Sequence, residues 1–244
     1  MNILVACKIV PDDQDVKVAG DGSLDFSRAH QVVSTYDLNA IEAASMLSGD
    51  GSVKAISVGS KKADDSKTKK NILARGVDEL FLTADDATAN LDAFGAAAEL
   101  AKLVAKAGDY DAILVGDGSA DLYAKQTGVQ LAAALGLPYV SGVVSAEAGD
   151  GKIAAKRLLE TEVESVEVPT PCVIAIAPDF AEPRIAGMKD ILAAGKKPMN
   201  VAAAEGAAAA ATEEVAVKAP AQVDRKCQIF DDVNEFAAAV KAAL

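Results

Sequence analysis

The chain has 244 residues and a formal net charge of -12; 51% of it is hydrophobic, 25% charged and 4% aromatic, with no tryptophan. Such acidity excludes a cationic surface for nucleic acid, and the few aromatic residues exclude a base-stacking platform. The length suits one large α/β domain, or a domain with an appendage, and leaves ample apolar sequence for a core. No apolar run reaches bilayer length. The opening Met1-Asn-Ile-Leu-Val-Ala-Cys7 enters a strand-like run without the layout of a signal peptide, which predicts a cytoplasmic chain without membrane insertion. Cys7, Cys172 and Cys227 are isolated and odd in number, as expected for reduced thiols with neither a disulfide framework nor metal spacing.

In chain order, an apolar strand over residues 3–7 is followed by alternation around Gly20-Asp-Gly22, which predicts a hairpin over 15–26. A helix follows over 36–47, with Asp37 as its cap. Strands over 53–58, 79–83 and 112–115 then alternate with helices over 67–74, 91–105 and 126–135. Residues 152–157 and 162–168 read as an antiparallel pair inserted before the last core strand, 172–176. A helix over 185–194 follows Pro183. This rhythm predicts a three-layer α/β/α domain around a parallel sheet, with small antiparallel insertions. Beyond Pro198 the composition shifts. Residues 202–211 are alanine except for Glu205 and Gly206, and lead into 212–220, a mobile or partly helical linker. The tail regains order: Asp232 with Glu235 fits a capping box, and Val233, Phe236, Val240 and Leu244 line one stripe. So short a helix must pack on something, either this chain's core or a partner subunit. The division is a domain over 1–200, a linker over 201–223 and a C-terminal helical arm over 224–244.

One stretch carries most of the chemistry. Val115-Gly-Asp-Gly-Ser-Ala-Asp-Leu-Tyr-Ala-Lys-Gln-Thr-Gly128 runs from a strand, through a glycine-bearing loop, into an alanine-rich helix. A helix start at the carboxyl edge of an open sheet offers free amides to a phosphate. A tight turn needs the same glycines, so this layout alone leaves both readings open. No catalyst accompanies it. His30, the one histidine, has no nucleophile pattern to serve. There is no Walker loop, and no Gly-x-Gly-x-x-Gly follows the first strand. The pairs Asp12-Asp13, Asp64-Asp65, Asp85-Asp86 and Asp231-Asp232 fit caps and solvated loops. Lys61, Lys62, Lys67, Lys69 and Lys70 fit a solvated face.

Spaced motifs in order resemble the β subunit of electron-transfer flavoproteins. Ile3-Leu-Val-Ala-Cys-Lys8 with Val10-Pro-Asp12, then Tyr36-Asp37 with Ala40-Ile-Glu-Ala43, resemble the family's first strand, loop and helix. Lys125-Gln-Thr-Gly128 resembles the end of its nucleotide loop. Ala155-Lys-Arg-Leu-Leu-Glu160 through Pro171 and Val173-Ile-Ala175 fits its signature, except that Thr161 stands where an acidic residue or glycine is usual. Glu182-Pro-Arg184, Met188-Lys-Asp-Ile191 and Lys196-Lys-Pro198 match its closing segment. Residues 117–123 depart from the loop of AMP-binding members and resemble a branch linked to anaerobic acyl-CoA and carnitine metabolism.

The resemblance implies a nucleotide-hydrolase-like α/β fold and a heterodimer. In it the α subunit holds most of a redox-active FAD, and the β subunit binds AMP or, in bifurcating members, a second FAD. The dimer takes electrons from acyl-CoA dehydrogenases or similar flavoenzymes and passes them on; this subunit is a carrier, not a catalyst. The implied nucleotide contacts are Ala6, Ser34, Thr35, Tyr36, Asp37, Val58, Asp121, Gln126, Thr127 and Gly128. The implied docking loop for the dehydrogenase carries Phe180 as apolar anchor, with Glu182 and Arg184. Thr127 favours AMP, since a hydroxyl suits a terminal phosphate. The same fold serves stand-alone nucleotide-binding stress or signalling modules, which is one alternative; another, a nucleotide-dependent pyrophosphatase or ligase, would need acidic metal ligands or a phosphate lysine by the loop.

Overall fold

The computed structural model describes residues 1–206, 208–221, 223 and 227–243. Chain order runs β1 (Ile3–Ala6), β2 (Ile9–Pro11), β3 (Lys17–Val18), β4 (Leu24–Asp25), β5 (Gln31–Val33), α1 (Thr35–Leu47), β6 (Val53–Gly59), α2 (Ser66–Leu73), β7 (Glu79–Ala84), α3 (Ala93–Ala107), β8 (Ala112–Gly116), α4 (Thr127–Leu135), β9 (Tyr139–Gly149), β10 (Lys152–Leu158), β11 (Val163–Pro169), β12 (Cys172–Ile176), α5 (Met188–Ala194), β13 (Met199–Ala202) and α6 (Val233–Ala243). Nine strands form one sheet in the order β11-β10-β9-β12-β8-β1-β6-β7-β13. The stretch from β9 to β13 is parallel throughout, while β10 and β11 extend it antiparallel.

The central strands are apolar on both faces because both faces are covered. β1 reads Ile-Leu-Val-Ala and β12 reads Cys-Val-Ile-Ala-Ile, buried at every position. One face packs on α1, α2 and α5, through Ile41, Ile72, Leu73 and Ala194. The other packs on α3 and α4, through Leu100, Leu103, Val104 and Leu131. After β7 the chain returns past β1 to lay down β8, so the strand order reverses between β1 and β8. Ligands of open α/β sheets bind at the carboxyl end of such a switch point.

Two strands depart from the sequence reading. The antiparallel insertion is three-stranded, because β9 runs eleven residues and joins it to β12. β13 adds a further parallel edge beside β7, where the composition suggested only the approach to a linker. The last core helix begins at Met188, three residues late. Gly187 is extended, and its amide donates to Asp190 Oδ2 at 2.9 Å.

No helix forms among the described residues between β13 and α6. Carboxylates hold this segment by its backbone. Asp85 Oδ2 accepts from the Ala204 amide at 3.2 Å, buried Glu99 from Ala208 at 2.7 Å, and Asp92 Oδ2 from both Ala211 and Thr212 at 2.8 Å. Lys102 reaches the carbonyls of Glu205 and Gly206. Further on, Ser23 pairs with Lys218 in an isolated bridge. Alanine offers no side chain for a conventional anchor, so the acids bind its amides instead. The arm itself stays clear of the core: no described residue of α6 is buried, and Val233, Phe236 and Val240 are 73%, 53% and 40% exposed. Asp232 caps it, accepting from Asn234 and Glu235. Leu244, expected on the same stripe, lies outside the described residues.

Asp92 also caps α3, accepting from Gly95 at 2.8 Å. Asp92→Ala is therefore expected to cost about 1–2 kcal/mol of stability. It should also open residues 208–221 to limited proteolysis at unchanged helix content. Cleavage at the wild-type rate would show that Asp92 does not hold the segment.

Candidate functional site

The site is built where β1 and β8 end. Asp37, expected to cap α1, does not. The N-cap position belongs to Ser34, and Asp37 turns inward, buried, to join two strand ends. Its Oδ2 accepts from the Lys8 amide at 2.7 Å, just past β1, and its Oδ1 from the Gly116 amide at 3.1 Å, at the end of β8. A Cβ at Gly116 would lie 2.7 Å from Asp37 Oδ1, so only glycine permits this approach. Burial raises the Asp37 carboxyl to about 7, against the opposing pull of the Lys8 and Gly116 amides. Burial, and then the Asp37 charge, also pushes the neighbouring Cys7 thiol up.

A carboxyl raised in this way makes the folded chain retain a proton that the unfolded chain releases near pH 4, roughly the free aspartate value. Stability from this group therefore falls as pH rises from about 4 to about 7, and is level above that. Asp37→Asn removes the titration. Its urea midpoint is expected to fall less than that of the wild type between about pH 5 and about pH 8. Parallel profiles would contradict the assignment.

From Gly116 the chain crosses to α4 in a loop tied at several points. Fully buried Ser34 accepts the Ala120 amide on its Oγ at 3.2 Å. The Tyr36 and Tyr123 rings meet at 4.9 Å, and Tyr123 lies so close over Gly118 that a Cβ there would sit 2.2 Å from the ring. Tyr123 and Lys125 both adopt left-handed backbone, with φ of 49° and 56°. Each such residue costs roughly 1–2 kcal/mol, which the surrounding contacts must offset. Two ion pairs close the loop: Lys8 Nζ to Asp121 Oδ2 and Lys125 Nζ to Asp117 Oδ2, each at 2.5 Å. The hydrogen bond to Asp117 raises the Lys125 ammonium. For Asp121, burial pushes upward, but hydrogen bonds from Lys8 and Ser119 hold the carboxyl below its ordinary range.

The loop ends at Gln126, the N-cap position of α4, without a side-chain cap. The amides of Thr127, Gly128 and Val129, and the Thr127 hydroxyl, have no hydrogen-bond acceptor among the described residues. Beside this helix start opens a cleft of about 290 Å³, lined by Asp117, Lys125, Val129, Tyr139, Ser141, Gly142, Arg157 and Leu158. Of its lining, Arg157 has its Nε buried without a hydrogen-bond partner among the described residues. Ala6 ends β1 and Val58 is the last residue but one of β6, both on the α3–α4 face of the same edge, and Thr35 begins α1, exposed.

The fold thus gathers Ser34, Tyr36, Asp37, Asp121, Gln126, Thr127 and Gly128 around one loop. Ser34 and Asp37 spend their polar atoms on protein amides. Lys8, Tyr123, Lys125, Tyr139 and Arg157 join them, unanticipated from sequence. The expected docking loop lies elsewhere. Phe180 is half-buried against the α1–α5 core, and Arg184 pairs with Glu42 at 2.7 Å while its carbonyl accepts from Arg75. Glu182 is exposed, and Ile185, Met188 and Leu192 expose 92%, 77% and 68% of their surface. His30 sits on the surface against Asp15.

A family model, the electron transfer flavoprotein domain, matches residues 22–219. The chain belongs to the electron transfer flavoprotein family. Its fold is a mostly parallel nine-strand sheet flanked by helices, with small antiparallel sheets. Members are subunits of heterodimeric electron carriers that bind FAD or AMP and are generally not catalysts themselves. No metal-binding group of acidic, cysteine or histidine side chains occurs among the described residues, and no helix among them is long and apolar enough to cross a membrane.

Proposed function

We propose that this chain is the β subunit of a cytoplasmic electron-transfer flavoprotein, holding an adenine nucleotide at the β8–α4 loop. The heterodimer carries electrons from acyl-CoA dehydrogenase-type flavoenzymes to downstream acceptors. The observation that carries this reading is the end of the β8–α4 loop, where three helix amides and the Thr127 hydroxyl have no acceptor among the described residues, beside a cleft lined by Lys125 and Arg157. All are donors, and they suit a phosphate. The adenine is assigned to the edge at Ala6 and Val58, whose side chains are small or short. The Thr127 hydroxyl suits a terminal phosphate, which favours AMP over a second FAD in a bifurcating complex. The flavin supplies the redox chemistry when bound, while this chain binds and orients.

Partner surfaces fit the same reading. The exposed stripe on α6 is an arm for the FAD-bearing α subunit, since such a stripe gains most by docking. The segment from Phe180 to Arg184 is the docking site of the electron donor. Because Phe180 is half-buried, Glu182 and Ile185 present more of the accessible surface there. A stand-alone module has no use for these exposed apolar groups.

Thr127→Val tests the phosphate site. Loss of a hydrogen bond to a charged group is expected to weaken AMP retention by about 1.5–3 kcal/mol, read as faster dissociation from the heterodimer. An unchanged dissociation rate would remove the hydroxyl from the site.

A further inference from the structure

A carboxylate has no proton to give a phosphate, yet Asp117 and Asp121 stand in the loop expected to hold one. We propose that these two carboxylates are resident rivals of the phosphate. They hold Lys8 and Lys125, and an entering phosphate must take both ammonium groups from them. The inference rests on the adenine-nucleotide reading above and adds to it a control on affinity.

Three observations support it. Both lysines meet the loop that leads to α4: Lys125 directly precedes Gln126, and Lys8, just past β1, reaches across 113 residues of sequence to Asp121. Both are neutralised by the same loop, at 2.5 Å each, instead of being left for an anion. The backbone enforces one of these pairings, since Lys125 and Tyr123 are both left-handed and the Lys125 ammonium also lies 4.9 Å from the Tyr123 ring centroid. A surface ion pair formed in passing would not need that conformation.

The electrostatics then give a direction. A phosphate monoester carries about -1.5 to -2 charges near neutral pH and accepts from several donors, so it can outcompete a carboxylate for an ammonium. The displaced carboxylates remain beside the bound anion and repel it. Binding therefore draws only on the fraction of molecules whose lysines are free, and apparent affinity falls by that fraction. Of the two acids, Asp121 is the cleaner probe. Asp117 also accepts the Gly142 amide, so changing it disturbs β9. The Asp121 carboxylate is held by Lys8 and, within its own loop, by Ser119 and Leu122, so changing it leaves β9 untouched.

The test uses the full αβ heterodimer stripped of nucleotide, with AMP and adenosine as probes in calorimetric titration. Asp121→Asn, and Asp121→Ser as a second variant, should bind AMP about tenfold tighter and adenosine no tighter, because adenosine has no phosphate to compete for Lys8. Lys8→Gln should weaken AMP binding, and the double variant Lys8→Gln with Asp121→Asn should lose the gain. Equal or weaker AMP binding by both Asp121 variants would overturn the proposal and leave Asp121 as a positioning group for Lys8. Parallel tightening of AMP and adenosine would overturn it too, since it would mean a loosened loop. Binding of neither probe by any of these proteins would instead overturn the adenine-nucleotide reading, and this inference with it.

Discussion

The geometry of the site depends on one carboxylate. By accepting the amides of Lys8 and Gly116, Asp37 fixes the ends of β1 and β8 to the first turn of α1. Those strands are neighbours at the switch point, and the loop to α4 leaves from Gly116. Without that tie, Ser34 could not hold Ala120, nor Tyr36 meet Tyr123, because both sit on the turn that Asp37 anchors. A buried acid able to protonate near neutrality is a weak choice for stability alone. Its merit is that two oxygens can satisfy two amides that no sheet partner reaches.

The same use of acids recurs across the molecule. Asp65 caps α2, Asp92 caps α3 and holds the alanine-rich segment, Glu99 and Asp85 extend that hold, and Asp232 caps α6. The net charge of -12 is thus partly structural: many carboxylates are acceptors for backbone amides at helix starts and along the strap. At the β8–α4 loop Asp117 and Asp121 meet ammonium groups as well, and the proposed competition with a phosphate rests on those two pairs.

The central strands were legible because full burial on both faces writes itself as an unbroken apolar run. β12 was found to the residue, and β6, β7 and β8 to within a residue of their ends. β9 was not, because Ser141, Gly142 and alternating exposed residues break its pattern, and its place is set by pairing with β12 and β10. β13 is four residues of partly exposed edge, defined only by β7. At the site, the helix start at Gln126–Gly128 was legible as local chemistry. The inward turn of Asp37 was not, since it depends on two strand ends distant in sequence. Arg157 did leave a trace: it shares the inward parity of buried Ile153 and Ala155 on β10, so a cation was due on a covered face. Lys8 and Lys125 left none, for a lysine beside a strand or a helix start is ordinary until its partner is seen.

The central claim is that this chain is a nucleotide-holding subunit of an electron carrier. It is tested most directly by releasing and quantifying every adenine-containing compound from the purified αβ heterodimer. The account predicts an adenine nucleotide for each copy of this chain, AMP or a second FAD, beyond the FAD of the partner subunit. A heterodimer that yields only that single FAD, from a fully folded preparation, would contradict it.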